Sequence, residues 1–504
     1  MDILISALAY LDFTTFLVII GACLFGLFIG AIPGLTSTMA IALMVPFTFF
    51  LDPIPALALM ISLGAASIFA GDIPGALLNI PGTPASAAYT NDAHAMVKQG
   101  KTNRVLGLSL TTSVIGGVIG TIILAFTAPV LADFALKFSS YEYMWLSLIG
   151  LSCATIVSGS NISKSILAML FGIALATIGF DEFTGKARFT FDQVSLMQGI
   201  NFIPAMIGLF AISGAIKYYV ERRKEQGQII EVIEGDERSY NLFKGVGGVL
   251  RKRKMSVMRG GAIGTLIGAL PGAGADIAAW ISYAVSKKFS KKPQEYGKGS
   301  EEGIVSASTS NNASLAGSWI PTLVFGIPGD SAAAIIIGVL YMKDMQPGPT
   351  LFLFNPDKLY AVFIIFFIAN IILLPVAFIV VNLLKKIVAI DSAIIYPIII
   401  LFSIVGSYAI TNTISSVVVM LVMGVIGYFL QERNFPISPI ILGLILGPML
   451  EKNLLSSLMK SDGDYLNFVN RPVSMVLATA FLCIVIMQIR TIFKDKKPEH
   501  SHQP

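Results

Sequence analysis

Two Ile-Pro-Gly tripeptides, Ile32-Pro33-Gly34 and Ile80-Pro81-Gly82, interrupt stretches of sequence apolar enough to cross a bilayer. Proline has no N–H to give a helix and glycine tolerates any turn, so each tripeptide ends or kinks a helix at membrane depth. The pattern then returns. Gly26-x-x-x-Gly30-Ala31-Ile32-Pro33-Gly34 is answered by Gly264-x-x-x-Gly268-Ala269-Leu270-Pro271-Gly272. Likewise Ala70-Gly71-x-Ile73-Pro74, followed by Ile80-Pro81-Gly82, is answered by Ala316-Gly317-x-x-Ile320-Pro321, followed by Gly326-Ile327-Pro328-Gly329. A duplicated membrane unit broken by Pro-Gly at matching places is the sequence pattern of a transporter binding site.

The apolar runs fix the class. With 55% hydrophobic and 13% charged residues over 504, and a mean hydropathy of +0.77, the chain lacks the polar surface to cover a soluble globule. Runs near or above the roughly 20 residues that span a bilayer occur at 14–33, 55–80, 105–133, 142–159, 163–180 and 199–219 in the first half. In the second they occur at 257–285, 303–327, 358–384, 393–409, 411–430, 437–450 and 472–490. This predicts an all-α polytopic protein with about 12 transmembrane helices. We divide it into a first membrane repeat (1–220), a basic linker (221–256), a second membrane repeat (257–492) and a tail (493–504). Met1-Asp2 leads directly into apolar sequence, which predicts an uncleaved first span. Cys23, Cys153 and Cys483 stand singly in apolar runs and read as packing residues.

Charge reports topology before it reports a partner. The net charge of +5 therefore carries no nucleic-acid reading. The basic residues from Arg222 to Arg259, in and just after the linker, and the tail's Lys494, Lys496 and Lys497 place both segments in the cytoplasm by the excess of Lys and Arg. Lys98, Lys101 and Arg104 make a further basic loop in the first half, whereas the matching loop of the second half, 343–349, is neutral. There the basic loop is Lys287, Lys288, Lys291, Lys292 and Lys298, opposite a first-half stretch, 49–55, with only Asp52. Corresponding loops thus lie on opposite sides, which predicts two inverted repeats. A weaker match of Asn161-Ile162-Ser163 and Gly172 with Thr413-Ile414-Ser415 and Gly424 extends the duplication further.

Thr36-Ser37-Thr38 supplies hydroxyls to cap a short helix over 39–50, half the length of a span. Residues 86–98 are small and polar and read as a re-entrant or surface hairpin. Irregular backbone at membrane depth survives only where protein, or a polar cavity and its ligand, replaces the lost hydrogen bonds. Half-helices at such breaks turn positive N-terminal ends toward the cavity, which suits a carboxylate, and exposed carbonyls suit a sodium ion. The expected substrate contacts are Gly34, Thr36, Asn79, Gly82, Thr83, Gly272, Gly274, Asn311, Asn312, Gly329 and Ser331. Asn79, Asn311 and Asn312 are also the candidate sodium ligands, since amides offer carbonyl acceptors to a cation and donors to an anion. Asp72, Asn91, Asp92, Asp276, Ser310, Ser314 and Asp330 are further polar residues in apolar surroundings, where ionisable groups are often functional.

Enzyme chemistry finds no foothold. His500 and His502 lie in the polar tail, so His94 alone is near the polar cluster and no metal triad or Ser-His-Asp set can be assembled. No Gly-Lys-Ser/Thr ending follows the glycines of 264–274, so ATP is not indicated and no cofactor is expected.

At these motifs the sequence resembles the large membrane permease subunit of tripartite tricarboxylate transporters, the TctA family. The residues that carry the resemblance include Gly30-Ala31-Ile32-Pro33-Gly34-Leu35, Asn79-Ile80-Pro81-Gly82-Thr83-Pro84 and Leu270-Pro271-Gly272-Ala273-Gly274. They continue with Tyr296-Gly297, Glu302-Gly303, Asn311-Asn312-Ala313, Gly326-Ile327-Pro328-Gly329 and Pro347-Gly348-Pro349, in the family's order. The resemblance implies a bacterial inner-membrane permease. It would work with a small membrane subunit and a periplasmic solute-binding protein, and take up citrate or a related tricarboxylate or dicarboxylate with sodium or protons. Two departures stand out: Asp92-Ala93-His94 where the family has Asp-Gly-Tyr, and Ala307-Ser308 where it has Pro-Glu. The rival expectations are a stand-alone cation-coupled carrier or channel, and a membrane scaffold with no transport.

Overall fold

The structure is a computed structural model that describes residues 2–33, 35–157, 162–181, 183–224, 242–271, 274–387 and 395–495. Expectations that fall on Gly34, on Gly272, on most of the basic linker and on the end of the tail lie outside the described residues. Helices make up almost all of the rest. A two-stranded ribbon pairs β1 (Gly179–Phe180) with β2 (Ala187–Arg188). Among the described residues, eight helices are long and apolar enough to cross a membrane, and shorter apolar helices accompany them. The chain is an all-α polytopic membrane protein.

The first half opens with α1 (Asp2–Ala9) and α2 (Phe13–Gly30), the latter capped by Asp12, whose carboxylate accepts the Thr15 N–H at 2.7 Å. After the break at Pro33, Thr36 Oγ1 accepts the Met39 N–H at 3.2 Å and starts the half-length α3 (Ser37–Thr48). Then α4 (Pro53–Ala70) begins on a proline whose missing N–H costs nothing in the first turn. A Cβ added at Gly26 would lie 2.7 Å from Leu63 O, and one at Gly30 would lie 2.6 Å from Ser67 O. These contacts advance in step along α2 and α4, so the two run parallel and α3 returns between them. The α2–α3 pair is therefore a hairpin that enters and leaves by one face.

Beyond α4 come α5 (Asp72–Leu78), α6 (Thr90–Lys98), α7 (Thr102–Ala135), α8 (Ser140–Val157), α9 (Ile162–Ala176) and the short α10 (Val194–Met197). A bent helix closes the half, formed by α11 (Phe202–Ile207), a π turn over Gly208–Ile212 and α12 (Ser213–Lys224). It runs past the expected end of the first repeat, and α13 (Val246–Lys252) sits inside the expected linker.

The second half repeats the opening arrangement. It comprises α14 (Lys254–Gly268), α15 (Gly274–Phe289) and the long α16 (Glu301–Phe325), which the Ser300 hydroxyl caps. Added Cβ atoms at Gly260, Gly264 and Gly268 would lie 2.5, 2.4 and 2.4 Å from the carbonyls of Ser306, Ser310 and Ser314, so α14 and α16 are parallel with backbones in contact. Glu302 fastens the open end of the α14–α15 hairpin. It accepts from Arg253 at 2.9 Å and Ser256 at 2.9 Å on one side, and from Ser290 at 2.8 Å on the other. Arg104 pairs with Glu301 at the same end, which we term the basic face. Gly64 of α4 packs on Leu315, while Asp72, just past the far end of α4, reaches Ser109 beside Ser308, so α4 runs against α16. The two hairpins consequently open on opposite faces of the bundle.

The chain continues through α17 (Ser331–Met342), α18 (Pro349–Phe354), α19 (Pro356–Ile387), α20 (Ile395–Thr411), α21 (Ile414–Glu432), α22 (Ser438–Lys460) and α23 (Pro472–Asp495). The halves interlock: Gly172 of α9 abuts Ile440 O of α22, and Gly208 in the π turn abuts Met420 O of α21.

Not every proline of the duplicated pattern breaks a helix. Pro74 lies in the first turn of α5, and Gly71 before it stays in the right-handed region, so α4 and α5 form a nearly continuous Pro53–Leu78 span. Pro321 lies inside α16, which ends only at Gly326, with φ +70°. The run expected at 257–285 is the α14–α15 hairpin rather than one span. Residues 86–98, expected as a hairpin, form a 3-10 turn, Ser86–Ala88, followed by α6.

Candidate substrate cavity

Four breaks meet at one place. Residues 33 and 36–39 from the first hairpin tip, 83–85 from the second break, 274–277 from the second hairpin and 330–332 ahead of α17 line one cavity of about 760 Å³. Its lining also includes Asn311 and Leu315 of α16, Phe210 in the π turn, Gly214 and Lys217 of α12, and Gln431 with Ser438 from α21 and α22. Three helices thus begin at the cavity: α3, α15 and α17, of 12, 16 and 12 residues. Each carries a positive N-terminal end of about half an elementary charge with N–H groups free of helical partners.

Local sequence explains each start. Asp330 Oδ1 accepts the Ala333 N–H at 2.7 Å and caps α17, and Ser331 Oγ donates to Ser438 Oγ at 2.7 Å. Gly274 adopts φ +56°, the left-handed region that glycine reaches without strain, and a Cβ there would press to 2.8 Å from Asp330 Cβ. The second hairpin tip therefore rests on the cap of α17. It is also strapped to the second break: Trp280 Nε1 donates to Pro84 O at 3.2 Å, and the Ala85 N–H points to the Asp276 carboxylate. With Asp276, Asp330 and Lys217 all on its wall, the cavity carries both signs of charge.

The expected site residues divide. Thr36, Thr83, Gly274, Asn311 and Ser331 line the cavity. Gly82 lies beside Thr83 but faces backbone: its N–H donates to Gly71 O at 3.1 Å, and a Cβ would sit 2.6 Å from Gly71 Cα. Gly329 packs in the same way on Ser318, with 2.6 Å from the added Cβ to Ser318 Cα. Asn79 ends α5 in the left-handed conformation, φ 58°, and is exposed away from the cavity. Asn312 turns from its neighbour and donates to Ser113 O at 3.0 Å and to Asn370 Oδ1 at 2.9 Å. Asn311 Nδ2 instead reaches the Tyr89 hydroxyl at 3.4 Å, so the three asparagines do not converge on a common cation position.

Other polar residues singled out in the sequence hold helices together. Asp92 is fully buried and accepts from the N–H groups of Gly299 and Ser300, both at 2.8 Å, and from the Tyr283 hydroxyl at 2.7 Å, tying α6 to the start of α16. His94 Nδ1 lies 2.9 Å from Ala76 O. Ser308, where the family pattern differs, donates to Ser109 O at 3.1 Å. Sequence reasoning missed Trp280, Lys217, Gln431 and Ser438; an indole and an amide inside apolar helices were the available signals. A second cavity of about 240 Å³ lies by the β ribbon, where Arg188 spans Glu451 with bonds of 2.5 and 3.1 Å.

No solved structure matches the chain. A protein from Agrobacterium vitis, described as "Uncharacterized 52.8 kDa protein in TAR-I ttuC' 3'region", is 30% identical over 93% of this chain and 92% of its own. A second from the same organism, "Uncharacterized protein in TAR-II ttuC' 3'region", is 32% identical over 47% of this chain and 98% of its own. The family model for "Tripartite tricarboxylate transporter TctA family" matches residues 16–442, a stretch that takes in both hairpins, all four breaks and every cavity-lining residue. The chain accordingly belongs to the tripartite tricarboxylate transporter TctA family, a family of transporters.

Proposed function

We propose that this chain is the permease subunit of a binding-protein-dependent transporter. It carries small carboxylates, a tricarboxylate or dicarboxylate such as citrate, across the bacterial inner membrane with a sodium or proton gradient as the driving force. A small membrane subunit assembles with it, and a periplasmic solute-binding protein delivers the substrate. The observation that carries this reading is the convergence of three half-helix N-termini on one cavity of about 760 Å³, a volume ordinary for a small-molecule site. Free N–H groups and the hydroxyls of Thr36, Thr83 and Ser438, the last of which accepts from Ser331, suit carboxylate oxygens. Asp276 and Asp330 disfavour a bare anion and favour one that arrives with a cation.

Opposite hairpins fit a pair of inverted repeats, with the basic face cytoplasmic, and alternating access would come from one unit moving against the other. The test is uptake of labelled carboxylates into vesicles containing this chain alone, with the small subunit, and with the binding protein added outside, under sodium and pH gradients. Gradient-driven uptake only in the complete system supports the proposal. Uptake by the chain alone makes it a stand-alone carrier, and no carboxylate uptake in any combination refutes the choice of ligand.

A further inference from the structure

Asp72 is a carboxylate at membrane depth with no positive partner. It opens α5, is 4% exposed, and pairs with no basic side chain among the described residues. Its two oxygens accept hydrogen bonds from the hydroxyls of Tyr89 and Ser109. The Tyr89 oxygen in turn lies 3.4 Å from Asn311 Nδ2, and Asn311 lines the cavity. A polar file therefore runs from the cavity through Asn311 and Tyr89 to Asp72, and on through Ser109 to Ser308, whose hydroxyls are 3.4 Å apart. The backbone makes a second link. Gly71, next to Asp72, accepts the Gly82 N–H at 3.1 Å, and Gly82 precedes the cavity residue Thr83.

Several charged groups on the helices packed against α5 are engaged elsewhere, and Lys98 of α6 and Asp133 of α7 are exposed. From α6, His94 meets Ala76 O and Asp92 is held by Gly299, Ser300 and Tyr283. Arg104 of α7 pairs with Glu301 of α16, and Glu302 with Arg253. From α19, Asp357 accepts from Tyr10, Lys385 donates to Asn103, and residues 361–384 contain no titratable side chain; α4 contains none either. A charge so placed is costly unless a proton or cation accompanies it. A metal cation takes six or so oxygen ligands, whereas the side chains in contact with Asp72 are two hydroxyls, too few for such a shell and enough to pass a proton.

We propose that Asp72 is a proton-binding site of the transport cycle, loaded from the substrate cavity through Tyr89, with Asn311 as the positioning residue at the cavity end. The proton comes from a hydronium ion in the cavity, which is left there as water. As it binds the phenol oxygen, the phenol's own proton passes to the Asp72 carboxylate, so Tyr89 is neutral before and after and Asp72 gains one proton. The return step reverses this on the other side of the membrane. The inference rests on the proposal that the cavity holds the transported anion.

The test uses the complete transporter in proteoliposomes and compares two rates: accumulation of labelled carboxylate driven by a pH gradient, and exchange of labelled for unlabelled carboxylate at equal pH. We expect the ratio of driven accumulation to exchange to fall at least tenfold in Asp72→Asn and severalfold in Tyr89→Phe, with a flattened pH profile in both. A structural role would lower both rates together and leave the ratio at the wild-type value, which would overturn the proposal. So would wild-type accumulation that ignores the pH gradient. If Asp72→Asn fails to fold, Tyr89→Phe, which removes one hydroxyl and keeps the ring, decides the matter alone. Absence of any carboxylate exchange by the wild type would refute the cavity reading itself, a result distinct from an unchanged ratio in the variants.

Discussion

Gly264→Ala offers a defined displacement of the second hairpin. The added methyl carbon would lie 2.4 Å from Ser310 O, 2.8 Å from Ser310 Cα and 2.9 Å from Ala313 Cβ. Ordinary contact begins near 3.4 Å, so α14 must retreat from α16 by about 1 Å, and backbone atoms cannot rotate out of the way as a flexible side chain would. Overpacking of this kind costs about 1–3 kcal/mol. The shift passes along α14 to the tip at Gly274, which rests on Asp330 at the cavity, and a 1 Å misplacement of binding groups costs on the order of 100-fold in rate. We therefore expect melting of the purified protein to fall by several degrees and uptake per molecule in the complete transporter to drop at least tenfold. Ser310→Gly does not rescue it, because the clash is with the backbone. The control is Gly248→Ala in α13, where nothing lies within 4 Å and the better helix propensity of alanine leaves stability equal or higher. Wild-type melting and uptake in Gly264→Ala would refute the close-packed hairpin.

Asp92→Asn weakens three bonds to a buried charge, each worth about 1.5–3 kcal/mol, so we expect a loss of at least 2 kcal/mol in denaturant melts of the solubilised protein. Asp330→Ala removes the cap of α17, at a cost of about 0.5–2 kcal/mol, and lowers uptake beyond what stability explains; Asp330→Asn keeps the cap and regains the stability but not the full uptake. Glu451→Gln, which breaks the partly exposed pair with Arg188, changes melting by no more than about 1 kcal/mol and leaves uptake intact.

The sequence shows a local rule wherever one governs the fold. Pro33 and the hydroxyl of Thr36 stop one helix and start the next, and Gly274 turns the second hairpin, because caps and left-handed turns depend on a few adjacent residues. Gly260, Gly264 and Gly268 repeat at the spacing that lets two backbones touch. Pro321 misleads for a physical reason: α16 is enclosed by α7, α14 and α15, and packing carries it through a proline that an isolated helix would not tolerate. The Asn311-Asn312 pair was legible as polar residues in an apolar run, but not that successive residues on a helix face different neighbours, Tyr89 for one and Asn370 for the other. Trp280 and Gln431 join the site only because the hairpins and α21 are brought together across hundreds of residues. No pattern within either segment announces that.

The central claim, that the four breaks enclose the carboxylate, is tested most directly by protection. In a background with Cys23, Cys153 and Cys483 replaced by alanine, single Thr36→Cys and Ser331→Cys variants place a thiol at the start of two different half-helices of the cavity, and Asn79→Cys places one outside it. Each is labelled with a small maleimide in the complete transporter, with and without a saturating carboxylate that the transporter takes up. The account predicts that substrate slows labelling at positions 36 and 331 severalfold and leaves position 79 unchanged. Equal labelling rates at all three positions, with and without substrate, would contradict it.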